Sequence, residues 1–312
     1  MASDHVGDRD REMAAIRDRK GAVREVPRRG DPDRCLGPAS RETFTRWLTP
    51  IEEHFVLHRG ETPALPADWT VSLRGATTDV DLSVDDLREF PAVSVAHTME
   101  CAGNCRAYFD PEIESVAWEF GGASTALWTG APLDAVFDAH GLRTDDDLWV
   151  TGIGADEQER PTDVFARSIP MEKALEDCVL AYEMNGRTLP PEHGFPVRLL
   201  VPGWYGVNSV KWLDELRVMD GMVTAETTFE DRDEDSYYAR WQQDRYRIFG
   251  ADEEPTHRTT VPVVDTQAQL ADDAVAHPYT FDQTVMSVIG SPSGEEPVEP
   301  RADGTVEVVG VA

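Results

Sequence analysis

Between residues 44 and 218, the apolar side chains fall into short segments, and glycine or proline closes several of them. The segments that alternate like strands are 71–73, 80–82, 93–99, 148–151 and 197–201. Helical patterns begin at Ser83, Pro132 and Met171, the first with a capping sequence and the second closed by Gly141. Residues 210–218 fit either a strand or a helix. The pattern predicts a mixed α+β fold in which strands and short helices share a core.

The two ends of the chain differ from this central region. Residues 1–40 are charged throughout and offer little to bury, so we expect a solvated arm there. The main domain is predicted at 41–255, followed by a linker and short strand-like pieces at 256–312. Because a few strands cannot close a β-sandwich alone, we expect these last residues to be only part of an all-β module.

The charge of the chain excludes two kinds of partner. Asp and Glu total 59 against 29 Lys and Arg, which gives a formal net charge of -30. Nucleic acid and anionic membrane surfaces would be repelled, so neither is expected. A high acid content with only three lysines resembles proteins of salt-loving organisms. With no apolar run of signal or membrane-spanning length, the cytoplasm is the expected compartment.

The sharpest local feature is the run from His97 to Arg106. The Cys101 thiolate is a soft metal donor, small residues beside it allow a bulky group to approach, and Arg106 would favour the thiolate and hold an anion. One alternative is an inert cysteine in a tight turn. Another is a zinc site formed by His97, Cys101 and Cys105 on a helical face, although Gly103 argues against a helix.

A second cluster supplies cations. His193, Arg198 and Lys211 each follow Gly- or Pro-containing turns, and convergent cations suit phosphate recognition. Taken singly, His193 could instead be a structural His and Lys211 a Lys that extends to the surface. Further along, Tyr246 lies between two arginines and could donate a hydrogen bond to an oxo group, or belong to a solvated stretch.

In this order and spacing, the segments resemble the molybdopterin domain of the sulfite oxidase family, which includes the eukaryotic nitrate reductases. The similarity runs from about residue 55 to 289. Residues 100–104 are similar to the family's cysteine loop, whose cysteine ligates molybdenum beside the pterin dithiolene. Residues 193–198 and 209–213 resemble the segments that hold the pterin and its phosphate, and 181–186 resembles the family's helix-to-turn signature.

The resemblance implies a molybdenum–molybdopterin cofactor with Cys101 as the metal ligand. It implies catalytic roles for Cys101, Tyr246 and Arg106. Tyr246 matches an active-site tyrosine that is more typical of sulfite oxidases than of nitrate reductases. The implied cofactor-binding residues are His58, Arg59, Cys101, Asp156, His193, Arg198, Ser209, Val210 and Lys211.

The expected reaction is oxidation of sulfite, a small oxyanion, to sulfate, with electrons passing to an acceptor of unknown identity. Alternatives are reduction of a sulfoxide or of nitrate with the same cofactor, or a zinc-binding structural or interaction protein. We expect no heme domain in this chain. A homodimer is expected only if the C-terminal immunoglobulin-like domain is complete, and we expect that domain to begin near Val285 and to break off at Ala312.

Some positions depart from the family pattern. The family's substrate-site Arg is Leu57 in this chain, unless Arg59 takes its place. Cys105 replaces the first Arg after the asparagine of the cysteine loop, whereas Arg106 matches the second. Leu127 stands where the family has an Arg before a tryptophan. These departures concern the substrate site and leave the predicted metal ligand Cys101 in place.

Overall fold

The computed structural model describes residues 36–58, 62–75, 79–108, 118–156, 165–223, 227, 242, 246, 279–292 and 298–312. Most of the predicted N-terminal arm therefore lies outside the described residues.

The helices are α1 (Val84–Arg88), α2 (Leu133–His140) and α3 (Met171–Asp177). Short 3-10 turns lie at Arg41–Thr45, Ile51–Glu53, Arg106–Tyr108, Pro191–His193 and Gly206–Asn208. The strands are β1 (Leu36–Gly37), β2 (Val56–Leu57), β3 (Thr70–Arg74), β4 (Val80–Ser83), β5 (Val93–Glu100), β6 (Ala123–Pro132), β7 (Trp149–Gly154), β8 (Ala166–Pro170), β9 (Val179–Met184), β10 (Arg187–Thr188), β11 (Arg198–Leu200), β12 (Leu213–Met219), β13 (Val288–Ser291) and β14 (Val309–Val311).

Local sequence signals explain the helix ends. The Ser83 hydroxyl accepts the Asp86 N–H at 3.2 Å, while the Asp86 carboxylate accepts the Ser83 N–H at 2.8 Å, a complete capping box for α1. Helix α2 ends where Gly141 adopts φ 62°, in the left-handed region that glycine enters without strain. Both predicted helix boundaries are confirmed, and the ambiguous segment 210–218 contributes strand β12.

Two five-stranded sheets form the body of the domain. Sheet 1 has the order β4-β3-β12-β7-β8, with β3 and β12 parallel and its other neighbours antiparallel. Sheet 2 has the order β10-β9-β6-β5, and β11 also pairs with β9. The largest buried apolar cluster contains side chains from both sheets and all three helices, such as Leu73, Leu87, Phe137, Ala174 and Leu180. The mixed α+β fold is therefore confirmed.

The helix that the resemblance implies within the helix-to-turn segment 181–186 is wrong, whereas the turn at its end is present. Residues 179–184 are strand β9, which pairs with β6, β10 and β11. A strand covered on both faces reads as a continuous apolar run without alternation, so its sequence looks like that of a buried helix. The following Asn185 (φ 51°) and Gly186 (φ 73°) form the two-residue turn to β10 that their positive φ values favour.

The described C-terminal residues pack at two places on the main domain. Strands β13 and β14 form a two-stranded ribbon that packs on Phe44, and the immunoglobulin-like module stays a prediction. Residues 279–286 instead lie along the main domain, where Tyr205 N–H donates to the Phe281 carbonyl at 2.9 Å and Gln283 N–H donates to the Gly203 carbonyl at 2.8 Å. Among the described residues, no helix combines the length and hydropathy needed to cross a bilayer.

Candidate functional site

A cavity of about 120 Å³ lies where segments from both sheets end, several times the space that one water requires. Cys101 follows β5 of sheet 2, Asp156 follows β7 of sheet 1, and Lys211 precedes β12. The residues predicted from sequence that line this cavity are His58, Cys101, Asp156, His193, Arg198, Ser209, Lys211 and Tyr246. The fold thus brings together side chains from segments more than one hundred residues apart.

The loop that carries Cys101 is a tight turn held by Asn104. The Cys101 N–H donates to the Gly122 carbonyl at 2.8 Å, which continues the pairing of β5 with β6. The Asn104 side chain accepts the Gly122 N–H at 2.9 Å and donates to Glu100 at 3.0 Å. These bonds fix the half-buried Cys101 at the cavity wall. The loop is not helical, and the described residues contain no group of three His, Cys, Asp or Glu side chains suited to a metal ion.

The groups on either side of Cys101 are shifted toward their neutral forms. Burial raises the pKa of the Glu100 carboxyl, although the hydrogen bond from Asn104 opposes the shift. Burial, and then the negative charge of Glu100, raise the pKa of the Cys105 thiol. Cys105 therefore favours the protonated thiol.

Arg198 is the most buried cation of the site, with 2% of its surface exposed. Its guanidinium donates to the carbonyls of His193 (2.9 Å) and Ser209 (3.0 Å) and lies 4.8 Å from the Trp128 ring. Its Nε has no hydrogen-bond partner, and it pairs with no described carboxylate. Burial lowers the pKa of Arg198 to about 9, which still leaves it charged near neutrality. A buried cation held only by neutral groups favours an anionic ligand.

Lys211 is fixed beside this cation. Its Nζ donates to the carbonyls of Leu57 at 3.3 Å and Glu192 at 3.1 Å and lies 3.1 Å from His58 Nδ1. Because an ammonium can only donate, His58 Nδ1 is the acceptor, and its Nε2–H donates to the Thr62 hydroxyl at 3.0 Å. Lys211 therefore keeps one position at the cavity wall instead of extending to solvent.

Two other predicted residues have local roles that the structure defines. Ser209 accepts the Val201 N–H at 3.1 Å through its hydroxyl, as well as receiving Arg198 at its carbonyl. Asp156 lines the cavity beside Gly154, where a Cβ would lie only 2.6 Å from the Asp156 carboxylate. The glycine is thus required for the carboxylate to occupy this position.

The remaining predicted residues do not line the cavity or cannot be placed. The Arg106 guanidinium lies against Gly103, its Nη2 being 2.5 Å from where a Cβ would stand. Val210 is fully buried in the core, where its carbonyl accepts the Leu199 N–H at 2.9 Å. Arg59 lies outside the described residues.

Two ionisable cavity residues were not predicted from the sequence. His54 and Glu192 line the cavity and are 1% and 3% exposed. The His54 ring lies 5.0 Å from that of His193, and its Nδ1 donates to the Phe55 carbonyl at 3.0 Å. The run Glu52-Glu53-His54 reads as a polar surface segment, and only its hydrophobic neighbours could have signalled burial.

Comparison with known proteins found a family that matches this chain and several relatives in sequence. The family described as "Oxidoreductase molybdopterin binding domain" matches residues 59–226. The chain is 32% identical over 275 residues to the mitochondrial sulfite oxidase of Homo sapiens, covering 85% of this chain and 45% of that protein. It is 33% identical over 226 residues to an NADH nitrate reductase of Ulva prolifera, covering 65% of this chain and 26% of that protein. The chain thus spans less than half the length of these relatives.

A solved structure supports the fold. The sulfane dehydrogenase SoxCD from Paracoccus pantotrophus superposes with a TM-score of 0.66 at 24% identity, covering 88% of this chain and 61% of that one. In the present structure, the residues fit a molybdenum–pterin group, because one cavity holds a thiol suited to the metal and a buried guanidinium that is suited to a phosphate and pairs with no described carboxylate. The chain therefore belongs to the sulfite oxidase family of molybdopterin-dependent oxidoreductases, whose cofactor is Mo-molybdopterin.

Proposed function

We propose that the chain catalyses oxygen-atom transfer, converting sulfite to sulfate. Sulfite gains one oxygen derived from water, and two electrons and two protons are released, the electrons to a separate acceptor. The supporting observation is the shared cavity, which is lined by Cys101, by the cations Arg198 and Lys211, and by Tyr246. The similarity to proteins named sulfite oxidases favours sulfite over other substrates.

The chain's own residues would bind the cofactor and orient the substrate. When the cofactor is bound, molybdenum supplies the two-electron redox and oxygen-transfer chemistry. Cys101 would hold the metal as a thiolate, and the residues that would hold the pterin and its phosphate are His193, Arg198, Ser209 and Lys211. The Tyr246 hydroxyl would donate a hydrogen bond to the substrate oxyanion, and Arg59 is the proposed further anion contact.

Metal and pterin analysis of the purified protein is the first test. We expect about one molybdenum and one pterin per chain, and sulfite-dependent reduction of a one-electron acceptor at high salt. Zinc without molybdenum would contradict the proposal.

Replacement of the metal ligand gives a sharper test. We expect Cys101→Ser to keep its melting temperature and its pterin but to lose turnover, because a hydroxyl is a poor substitute for a soft thiolate. Cys178→Ser, which changes a cysteine buried in the core away from the cavity, is the matched control and should keep turnover. Wild-type rates in Cys101→Ser would refute the assigned role.

A second reaction is favoured by one observation. Much of the described cavity wall is apolar, formed by Phe55, Val56, Leu57 and Val207. Such a wall suits a neutral molecule, so reduction of a sulfoxide is the alternative use of the same cofactor. Steady-state assays in both directions, with sulfite as reductant and with a sulfoxide or nitrate as oxidant, separate these reactions by their kcat/KM values.

A further inference from the structure

Tyr246 lines the cavity, and Gln242, four residues earlier, is a buried glutamine bonded to sheet 1. Gln242 is 2% exposed. Its amide oxygen accepts the Ser168 N–H at 2.8 Å, and its amide nitrogen donates to the Ser168 carbonyl at 2.6 Å. Ser168 lies in β8, the edge strand of sheet 1, so the glutamine amide completes two backbone bonds that a further strand would otherwise make.

A second attachment reaches Tyr246 from the opposite direction in sequence. The Tyr246 carbonyl accepts the Thr280 N–H at 3.0 Å and the Thr280 hydroxyl at 3.3 Å. The Thr280 carbonyl in turn accepts the side-chain amide of Asn208 at 2.9 Å. Asn208 is 1% exposed and lies between Val207 and Ser209, which both line the cavity. The tyrosine backbone is thus tied to the cavity wall through one intervening residue.

A third contact orients the ring. The Arg167 guanidinium lies 5.2 Å from the Tyr246 ring centroid and 4.3 Å from that of Phe165, and Arg167 is adjacent to Ser168. The same edge of β8 therefore holds Gln242 through its backbone and faces the tyrosine through a side chain. The side-chain amides of Gln242 and Asn208 both make buried hydrogen bonds to backbone groups. Loss of either amide leaves a backbone group without its partner.

We propose that Gln242 and Asn208 are positioning residues that fix the Tyr246 phenol in the cavity. This inference rests on the proposed function only for the consequence in turnover. The geometric part, that these two amides set the location of the phenol, can be measured without any reaction.

Fluorine NMR of protein labelled with 3-fluorotyrosine tests the geometric part. The chain has seven tyrosines, and Tyr246→Phe identifies the Tyr246 resonance by its disappearance. We expect Gln242→Ala and Asn208→Ala each to shift or broaden that resonance. Gln242→Met, which fills similar space without the amide, serves if Gln242→Ala does not fold.

The matched control is Asn185→Ala. The Asn185 amide also bonds two backbone groups, Leu127 N–H at 2.9 Å and the Thr49 carbonyl at 2.9 Å, but it does not line the cavity. It should lower the melting temperature and leave the Tyr246 resonance unchanged. An unchanged Tyr246 resonance in both Gln242 variants and in Asn208→Ala would overturn the inference.

Kinetics test the consequence. We expect Gln242→Ala to lower kcat by about 10- to 100-fold with a small change in KM, because a displacement of about 1 Å has effects of this size. In the Tyr246→Phe background, the same substitution should cause little further loss. Equal losses in both backgrounds would show a general structural role. If Tyr246→Phe itself keeps wild-type turnover, the proposed role of the phenol fails, while the NMR result still decides the positioning.

Discussion

Acidification is expected to weaken the fold through His97, a buried residue of β5 that lies four positions before Cys101. The Gly203 N–H points at His97 Nδ1 at 3.4 Å, so this nitrogen accepts and the proton of the neutral ring is on Nε2. Nε2 is buried without a hydrogen-bond partner. Burial, with smaller contributions from the charges of Arg198 and Lys173, lowers the pKa of His97 to about 4 from 6.5.

The magnitude follows from linkage between protonation and folding. The unfolded chain takes up a proton at this residue near pH 6.5, whereas the folded chain does so only near pH 4. The stability associated with the neutral ring is therefore present above pH 6.5 and is lost as the pH falls toward 4. A shift of this size corresponds to about 3 kcal/mol in full and to about 2 kcal/mol by pH 5.

Urea unfolding at pH 7 and at pH 5, in constant high salt, measures this loss. His97→Gln can still accept the Gly203 N–H but does not titrate, so it should lose about 2 kcal/mol less than the parent between the two pH values. Carboxyl groups that titrate in the same range cancel in this comparison. If parent and variant lose the same stability, to within about 0.5 kcal/mol, the assignment of the shift to His97 is refuted.

Two further substitutions probe the cation and the sheet. Arg198→Met removes a buried cation that pairs with no described carboxylate, so we expect the free energy of unfolding of the apoprotein to fall by at most about 2 kcal/mol. Cofactor affinity should fall about 10- to 100-fold. Pterin content after size-exclusion chromatography measures this second effect, and full retention would contradict it. Gly130→Ala would place a Cβ against the Leu180 carbonyl oxygen, where the β6–β9 register shifts. We expect this clash to lower the free energy of unfolding in urea by about 3 kcal/mol. A change below about 1 kcal/mol would show that the two strands can move apart without cost.

Features with local causes were predictable from the sequence. The capping box at Ser83 and the left-handed glycine at Gly141 depend only on residues within one turn, and both end the helices where the sequence predicts. The strand 93–99 and the loop after it were likewise identified by alternation and by the small residues beside Cys101. The spacing of the cysteine loop and of the cation segments was enough to indicate the family.

The direction in which each side chain points, and the residues it contacts, were decided by the tertiary structure. The resemblance implied a helix within residues 181–186, whereas pairing with distant strands makes residues 179–184 a strand that is buried on both faces. Arg106 and Val210 were expected at the site by their position in a motif, yet one lies against Gly103 and the other packs in the core. Side-chain direction in a loop depends on contacts with distant segments, such as the one that buries His54 against His193. Sequence thus determined which segments matter, and the packing of two sheets determined which of their atoms share a cavity.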